Sequence, residues 1–105
     1  HFCLKKMLLY NVTITIEGHT DDVPYRAAPG QQILDNWDLS VMRATAITKI
    51  LTKAGLAPSQ VTAAGKGEYS PLAPNTTPQS KQKNRRTEII ITPNLDELFK
   101  ILGTN

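Results

Sequence analysis

Arg43 is the residue whose type and position most clearly ask for a chemical explanation. The apolar residues around it recur at the spacing of one helix face, and Arg43 falls within that stripe. The stripe consists of Leu39, Met42, Ala46, Ile47, Ile50, Leu51 and Ala54. A guanidinium stays charged, and its burial without a partner is strongly unfavourable. We therefore expect Arg43 to point inward and to meet a carboxylate, either of this chain or of a ligand.

Asp21 is the carboxylate that the order of elements brings close to Arg43. It follows an alternating strand, whereas Arg43 lies in the second turn of the next helix. Ligands of α/β folds bind at the loop ends of strands, beside helix N-termini. An acid and a guanidinium in one pocket suit a zwitterion, whose ammonium meets the acid and whose carboxylate meets the arginine. A direct salt bridge between Asp21 and Arg43 explains the same residues equally well, and the sequence leaves both readings open.

Groups that catalysis or metal binding requires are sparse. Nucleophilic catalysis needs a base beside a Ser, Thr or Cys, and the two histidines are His1 and His19. We therefore predict no catalytic residue and no enzymatic activity. A metal site at His19, Asp21 and Asp22 lacks an evident fourth ligand, so we expect neither a metal nor another cofactor.

Length and composition indicate one globular domain over residues 1–105. Hydrophobic residues make up 40% and charged residues 20% of the chain, and no apolar run approaches the ~20 residues that span a bilayer. The single cysteine, Cys3, excludes an internal disulfide. Of the twelve cations behind the net charge of +3, four lie between Lys81 and Arg86. We interpret that run as a solvated loop rather than a nucleic-acid site.

The element order is legible from periodicity and from turn residues. Residues 1–11 read as the remnant of an upstream helix, and a final helix is expected over 94–103, capped by Asn94 with Glu97. Three strands are predicted, over Val12–Glu17, Val61–Ala64 and Thr87–Thr92, and two loops, over His19–Asp35 and Gly65–Lys83. A helix is predicted from Asn36 to Gly55, and either Asn36 or Asp38 is expected to cap it. Strands alternating with helices predict a two-layer α/β sandwich.

Four segments, in order and at matching separations, resemble the signature of the OmpA-like peptidoglycan-binding domain. They are Glu17-Gly18-His19-Thr20-Asp21, Asn36-Trp37-Asp38-Leu39-Ser40-Val41-Met42-Arg43-Ala44, Gly65-Lys66-Gly67-Glu68 with Pro71, and Asn84-Arg85-Arg86-Thr87-Glu88-Ile89. The resemblance covers residues 12–93. It implies an α/β (α+β) fold of the OmpA-like βαβαβ type with a mixed sheet.

The resemblance also implies a function and a site. The expected function is non-catalytic binding of peptidoglycan through its diaminopimelate-type stem peptide, which anchors the outer membrane or an envelope protein of a Gram-negative cell to the cell wall. The expected location is the periplasm, associated with the outer membrane, and the expected partner is the stem peptide rather than a nucleic acid. The alternative is the wall-anchoring domain of a MotB-like flagellar stator protein. Carried over by position, the ligand contacts fall on Asp21 and Arg43, and supporting contacts fall on Thr20, Asn36, Leu39 and Arg86.

Two departures from the family pattern carry expectations of their own. The stretch from Asp22 to Asp35 is longer than in the shortest members, which alters the rim of the pocket. Family members begin with a strand and a full helix, whereas only a short segment precedes Val12 here, so the domain reads as N-terminally truncated. A sheet without that strand would have a bare edge, and we therefore expect dimerisation or strand exchange.

Overall fold

The computed structural model describes residues 12–103, apart from the side chains of Glu97, Leu98, Ile101 and Leu102. The upstream helix predicted over residues 1–11 lies outside the described residues. The elements are β1 (Thr13–His19), α1 (Asn36–Lys53), a 3-10 turn (Pro58–Gln60), β2 (Val61–Gly65), α2 (Pro78–Asn84), β3 (Arg86–Thr92) and α3 (Leu95–Leu102). No helix of this described region is long and apolar enough to cross a membrane.

The three strands form one mixed sheet in the order β2-β1-β3. β1 runs parallel to β2, with Ile16 beside Ala63, and antiparallel to β3, with Ile16 beside Ile89. A parallel pair needs a crossover connection, and α1 supplies it between β1 and β2. The predicted α/β sandwich with a mixed sheet is confirmed.

The alternation predicted for β1 decides which residues enter the core. Val12, Ile14 and Ile16 are buried, and Thr13 between them is exposed. Ala44 of α1 and Leu56 after it complete the buried cluster. Half-buried apolar residues of α1 and β2 pack around that cluster, namely Ile47, Leu51, Val61 and Ala63.

The face of α1 that packs on the sheet differs from the predicted one. Ser40 and Ala44 are buried, whereas Met42 and Ile50 of the predicted stripe are 41% and 61% exposed. The buried stripe is therefore rotated from the one that apolar spacing alone indicates. Arg43 lies beside this contact and is half-buried, rather than lying in the middle of an apolar face.

Two glycines explain why small residues of α1 face the strands. A Cβ on Gly18 of β1 would overlap the Ser40 carbonyl, and a Cβ on Gly65 of β2 would overlap the Val41 side chain. The helix backbone therefore lies almost directly on the ends of β1 and β2. Such a close approach leaves room for Ser and Ala at the contact but not for Met or Ile.

The N-terminus of α1 is capped one residue earlier than predicted. Asp35 is the N-cap, and its carboxylate accepts a hydrogen bond from the Asp38 backbone N–H at 2.9 Å. Asn36 and Asp38, the predicted caps, bond elsewhere: the amide of Asn36 donates to the loop after β1, and Asp38 accepts from Leu34 N–H. The predicted end is confirmed, because Gly55 has φ +119° just past the helix.

The predicted loop from Gly65 to Lys83 contains a helix that the sequence analysis missed. α2 begins at Pro78, and Thr77 caps it by accepting a hydrogen bond from Ser80 N–H at 3.1 Å. A Thr-Pro pair at a helix start was the available signal. The final helix, α3, is confirmed and ends at Gly103 with φ +72°. The capping role of Glu97 falls on a side chain outside the described set.

Candidate functional site

A cleft of about 450 Å³ opens where the loop after β1 meets the start of α1. Its lining includes Thr20, Asp21, Asn36, Leu39, Arg43 and Arg85. Five of these residues are ones that the sequence analysis selected. The sixth selected residue, Arg86, is not part of the lining, and Arg85 is.

Asp21 is the buried acid of the cleft, with 6% of its surface exposed. Its Oδ1 accepts a hydrogen bond from Val23 N–H at 3.0 Å, and its Oδ2 lies 2.5 Å from Arg85 Nη1. Thr20, also buried, donates its hydroxyl to the Asp21 carbonyl at 2.8 Å, and its backbone N–H donates to Gly67 O at 2.9 Å. These bonds fix the Asp21 carboxylate in one orientation at the end of β1.

Arg43 reaches the cleft from the second turn of α1. It shares one side of the helix with Asn36 and Leu39, since the three are spaced at i, i+3 and i+7. Among residues 12–103 the Arg43 guanidinium has no hydrogen bond or ion pair. The Asp21–Arg43 salt bridge that the sequence left open is not formed there, because Arg85 is the residue paired with Asp21. Arg43 therefore presents an unpaired, half-buried guanidinium to the cleft.

Asn36 holds the loop that forms the cleft wall. Its Nδ2 donates to Asp21 O at 3.3 Å and to Val23 O at 3.0 Å. The side chain thus ties the first turn of α1 to the segment that follows β1, and this positions Asp21 relative to Arg43.

Arg86 occupies a different environment from the one predicted. Its Nε and Nη2 both lie 2.6 Å from Glu88 Oε2, and Nη2 also donates to Ser70 O at 3.0 Å. Successive residues entering a strand point to opposite faces, so only one member of the Arg85-Arg86 pair can face the cleft. The resemblance assigned the supporting contact to Arg86, whereas the structure has Arg85 in the lining of the cleft.

The basic run from Lys81 to Arg86 is largely neutralised by acids of the fold. Lys81 Nζ lies 2.8 Å from Asp22 Oδ1, Arg85 pairs with Asp21 and Arg86 pairs with Glu88. The run begins within α2 rather than in a solvated loop. Because these cations are paired with acids, the run is disfavoured as a phosphate-binding patch. The same ion pairs engage Asp21 and Asp22, two of the three residues weighed as metal ligands in the sequence.

A second, smaller cleft of about 200 Å³ adjoins the first and shares Pro24, Tyr25 and Asn36 with it. Trp37 and Tyr69 stack in it, with ring centroids 5.1 Å apart and planes at 28°. Tyr69 was not selected from the sequence, because a lone aromatic in a long loop carries no spacing signal.

Comparisons with known proteins agree with this arrangement. The OmpA family model matches residues 3–85. The chain is 42% identical over 81 residues to motility protein B of Bacillus subtilis, covering 76% of this chain and 30% of that protein. It is 35% identical over 78 residues to the peptidoglycan-binding protein ArfA of Mycobacterium bovis, covering 74% of this chain and 22% of that protein.

The fold of the chain is similar to that of solved structures. The crystal structure of the periplasmic domain of Helicobacter pylori MotB superposes with a TM-score of 0.72 at 28% identity, covering 95% of this chain and 63% of that one. The chain thus spans only part of each of these relatives. Because the family model covers more than half of the sequence, and the fold matches as well, the chain belongs to the OmpA family.

Proposed function

We propose that this chain binds the peptide stem of peptidoglycan without catalysing a reaction, and that the cleft holds the side-chain end of diaminopimelate. One observation carries the proposal: Arg43, which has no polar partner within the described residues, presents a half-buried guanidinium to the cleft that the buried carboxylate of Asp21 also lines. The side-chain end of diaminopimelate has one carboxylate and one ammonium. The carboxylate pairs with the guanidinium fork of Arg43, and the ammonium is directed to Asp21.

The charges of the cleft favour a ligand carboxylate as the main anchor. Arg26, Arg43 and Arg85 line it, against Asp21 as the acid. The ligand ammonium must share Asp21 with Arg85 or displace it. The Arg85 side chain is 43% exposed, so its guanidinium can turn toward solvent when the ligand ammonium takes its place at Asp21.

We further propose that the chain acts in the periplasm and anchors an envelope protein to the cell wall. The name of ArfA states peptidoglycan binding, and the Helicobacter pylori domain is described as periplasmic. The relatives mix motility proteins with outer membrane porin F of Pseudomonas fluorescens. This mixture supports the cell envelope and does not single out the outer membrane.

The MotB-like alternative is a second candidate, because motility protein B of Bacillus subtilis is 42% identical over the matched region. In that role, binding of the wall would hold a stator unit in place. The parent gene decides between the two candidates. An upstream segment encoding a transmembrane helix with a buried Asp would favour the stator.

Self-association through the sheet edge is also part of the proposal. Within the described sheet β3 pairs only with β1, and Ile89 and Ile91 are exposed on it. An unpaired strand edge with apolar side chains is a template for a second copy.

Co-sedimentation with purified peptidoglycan sacculi tests the binding proposal. The native chain is expected in the pellet, and free diaminopimelate is expected to release it. Arg43→Ala should stay in the supernatant, whereas Lys49→Ala, which removes an exposed cation of the same helix, should behave like the native chain. Equal pelleting of Arg43→Ala and the native chain would remove the proposed site.

A further inference from the structure

Three metal-ligating side chains lie together on the sheet face opposite α1, and none of them lines either cleft. Glu17 and His19 are two residues apart on β1 and so share one face. Glu88 stands opposite Glu17 in the β1–β3 register. His19 Nε2 lies 3.5 Å from Glu17 Oε1 and 3.6 Å from Glu88 Oε2.

The imidazole of His19 is buried, and no side chain or backbone group of residues 12–103 forms a hydrogen bond with it. Its residue surface is 2% exposed, and within the described residues neither Nδ1 nor Nε2 makes a hydrogen bond. Buried polar atoms are nearly always satisfied, so an unpaired buried nitrogen calls for an explanation. Nε2 is directed at two carboxylates, which is the arrangement of a ligand set that surrounds a cation.

The distances from His19 Nε2 to the two carboxylates fit a small tetrahedral metal ion. Zinc binds nitrogen and oxygen at about 2.0–2.2 Å, which separates adjacent tetrahedral ligands by about 3.3–3.6 Å. The two separations from Nε2 fall within that range, and all three donor atoms lie within 4.8 Å of one another. One imidazole with two carboxylates is also a donor set that zinc accepts.

We propose that Glu17, His19 and Glu88 form a binding site for a divalent transition metal, with zinc as the ion that fits best. The site holds three protein ligands and leaves further positions to water. Glu88 is the most accessible of the three, with its side chain 38% exposed, so the ion enters from that side. This proposal does not rest on the proposed function, because it uses none of the residues that line the cleft.

Arg86 acts as a competitor of the metal. Its guanidinium lies 2.6 Å from Glu88 Oε2 and stands opposite His19 in the strand register. A cation bound by Glu88 would be repelled by this charge and would take over one of its partners. Removal of the Arg86 charge should therefore tighten metal binding, an effect that a purely structural histidine cluster does not predict.

Calorimetric zinc titration and cobalt absorption spectra test the site. The 105-residue chain should carry His1→Ala and Cys3→Ser, which remove the other imidazole and the one thiol of the sequence. We expect one zinc per chain in the micromolar range and the visible bands of tetrahedral cobalt. His19→Gln and Glu88→Gln should each weaken binding by roughly 100-fold, and Arg86→Gln should tighten it by roughly tenfold. Glu68→Gln, a carboxylate outside the cluster, serves as the matched control and should change nothing.

Circular dichroism of each variant shows whether it is folded. If His19→Gln does not fold, Glu88→Gln and Arg86→Gln carry the test, because both residues are more exposed. Absence of saturable zinc binding in the chain that carries only His1→Ala and Cys3→Ser would overturn the proposal. Zinc binding that neither Glu88→Gln nor Arg86→Gln alters would overturn it as well.

Discussion

At the scale of single residues, Arg43 and Asp21 differ in what they contribute to the unliganded fold. Asp21 accepts a backbone hydrogen bond from Val23 and pairs with Arg85. Arg43 has no polar partner among residues 12–103. A charged side chain that lines a cleft without an ion-pair partner in the fold is what we expect of a binding residue. Its guanidinium forms a favourable ion pair only when a ligand carboxylate binds.

This difference predicts effects on stability of different size. Arg43→Met keeps the aliphatic stem, so it should change the free energy of unfolding by no more than about 0.5 kcal/mol. Asp21→Ala leaves Val23 N–H without its acceptor and Arg85 without its partner, so it should cost about 1–2 kcal/mol. Urea unfolding of the two variants measures both values. A loss in Arg43→Met as large as that in Asp21→Ala would show that Arg43 is structural.

His19 predicts how stability depends on pH. Burial, with the Arg86 charge beside it, lowers the pKa of His19 below its ordinary value of 6.5. The unfolded chain then takes up a proton at a higher pH than the folded chain, so stability is complete above pH 6.5 and falls as the pH drops through the folded pKa. The pKa of Glu88, lowered by its hydrogen bond to Arg86, adds a loss below its ordinary 4.5.

Urea unfolding from neutral to acid pH, in the presence of a chelator, checks this prediction. The first loss of stability should begin near pH 6.5, and His19→Gln should remove that step while leaving the loss at lower pH. A stability that rises as the pH falls from 7 to 5 would contradict the assigned direction.

At the scale of elements, the close contact between α1 and the strands rests on glycine. Gly18→Ala would place a methyl group against the Ser40 carbonyl, and the helix would have to move away from β1. We expect a loss of about 1–3 kcal/mol in the free energy of unfolding. Gly30→Asn is the control, because Gly30 has nothing within 4 Å of a new Cβ, and Asn tolerates its φ of +84°.

Thermal unfolding of the two variants separates these outcomes. Equal melting temperatures for Gly18→Ala and the native chain would mean that the contact is looser than described. Ser40, which contacts Gly18, and Asn36, which lines the cleft, belong to the same helix. A displacement of α1 in Gly18→Ala should therefore also move the cleft wall and weaken ligand binding.

The elements show where sequence reasoning succeeds and where it fails. β1, α1, β2 and β3 were predicted because period 2, period 3.6 and glycine or proline stops are local properties. The packed face of α1 was not predicted correctly, because Gly18 of β1 and Gly65 of β2 decide how closely the helix approaches the sheet. Asp21 and Arg43 followed from periodicity and element order, and Thr20, Asn36 and Leu39 followed from the family resemblance. Arg85 was not predicted, because the alternation of side chains at the start of β3 decides which of the adjacent residues Arg85 and Arg86 faces the cleft.

At the scale of the whole molecule, the described part of the chain, residues 12–103, has exposed apolar side chains on one face. Ile50 of α1 is exposed, as are Ile89 and Ile91 of β3, which lie on the sheet face that α1 packs against. Within the described sheet the outer edge of β3 has no partner strand, and exposed apolar side chains at such an edge favour association between copies. We expect a concentration-dependent dimer in static light scattering.

Lysine substitutions at the two edge strands locate that interface. Ile89→Lys should return the chain to a monomer, because a lysine on β3 opposes strand addition. Thr62→Lys, on the other edge strand, is the matched control and should remain dimeric. A monomeric native chain at the highest attainable concentration would refute the proposed association.

The cleft unites parts of the chain that are distant in sequence: the end of β1, the start of α1 and the residue before β3. Its proposed ligand is tested most directly by isothermal titration calorimetry with diaminopimelate. Lysine is the matched ligand, since it keeps the side-chain ammonium and lacks the second carboxylate. We predict saturable one-to-one binding of diaminopimelate, weaker binding of lysine, and a loss of roughly tenfold or more for diaminopimelate in Arg43→Ala. Equal affinities of the native chain and Arg43→Ala for diaminopimelate, or no binding to the native chain, would contradict the account.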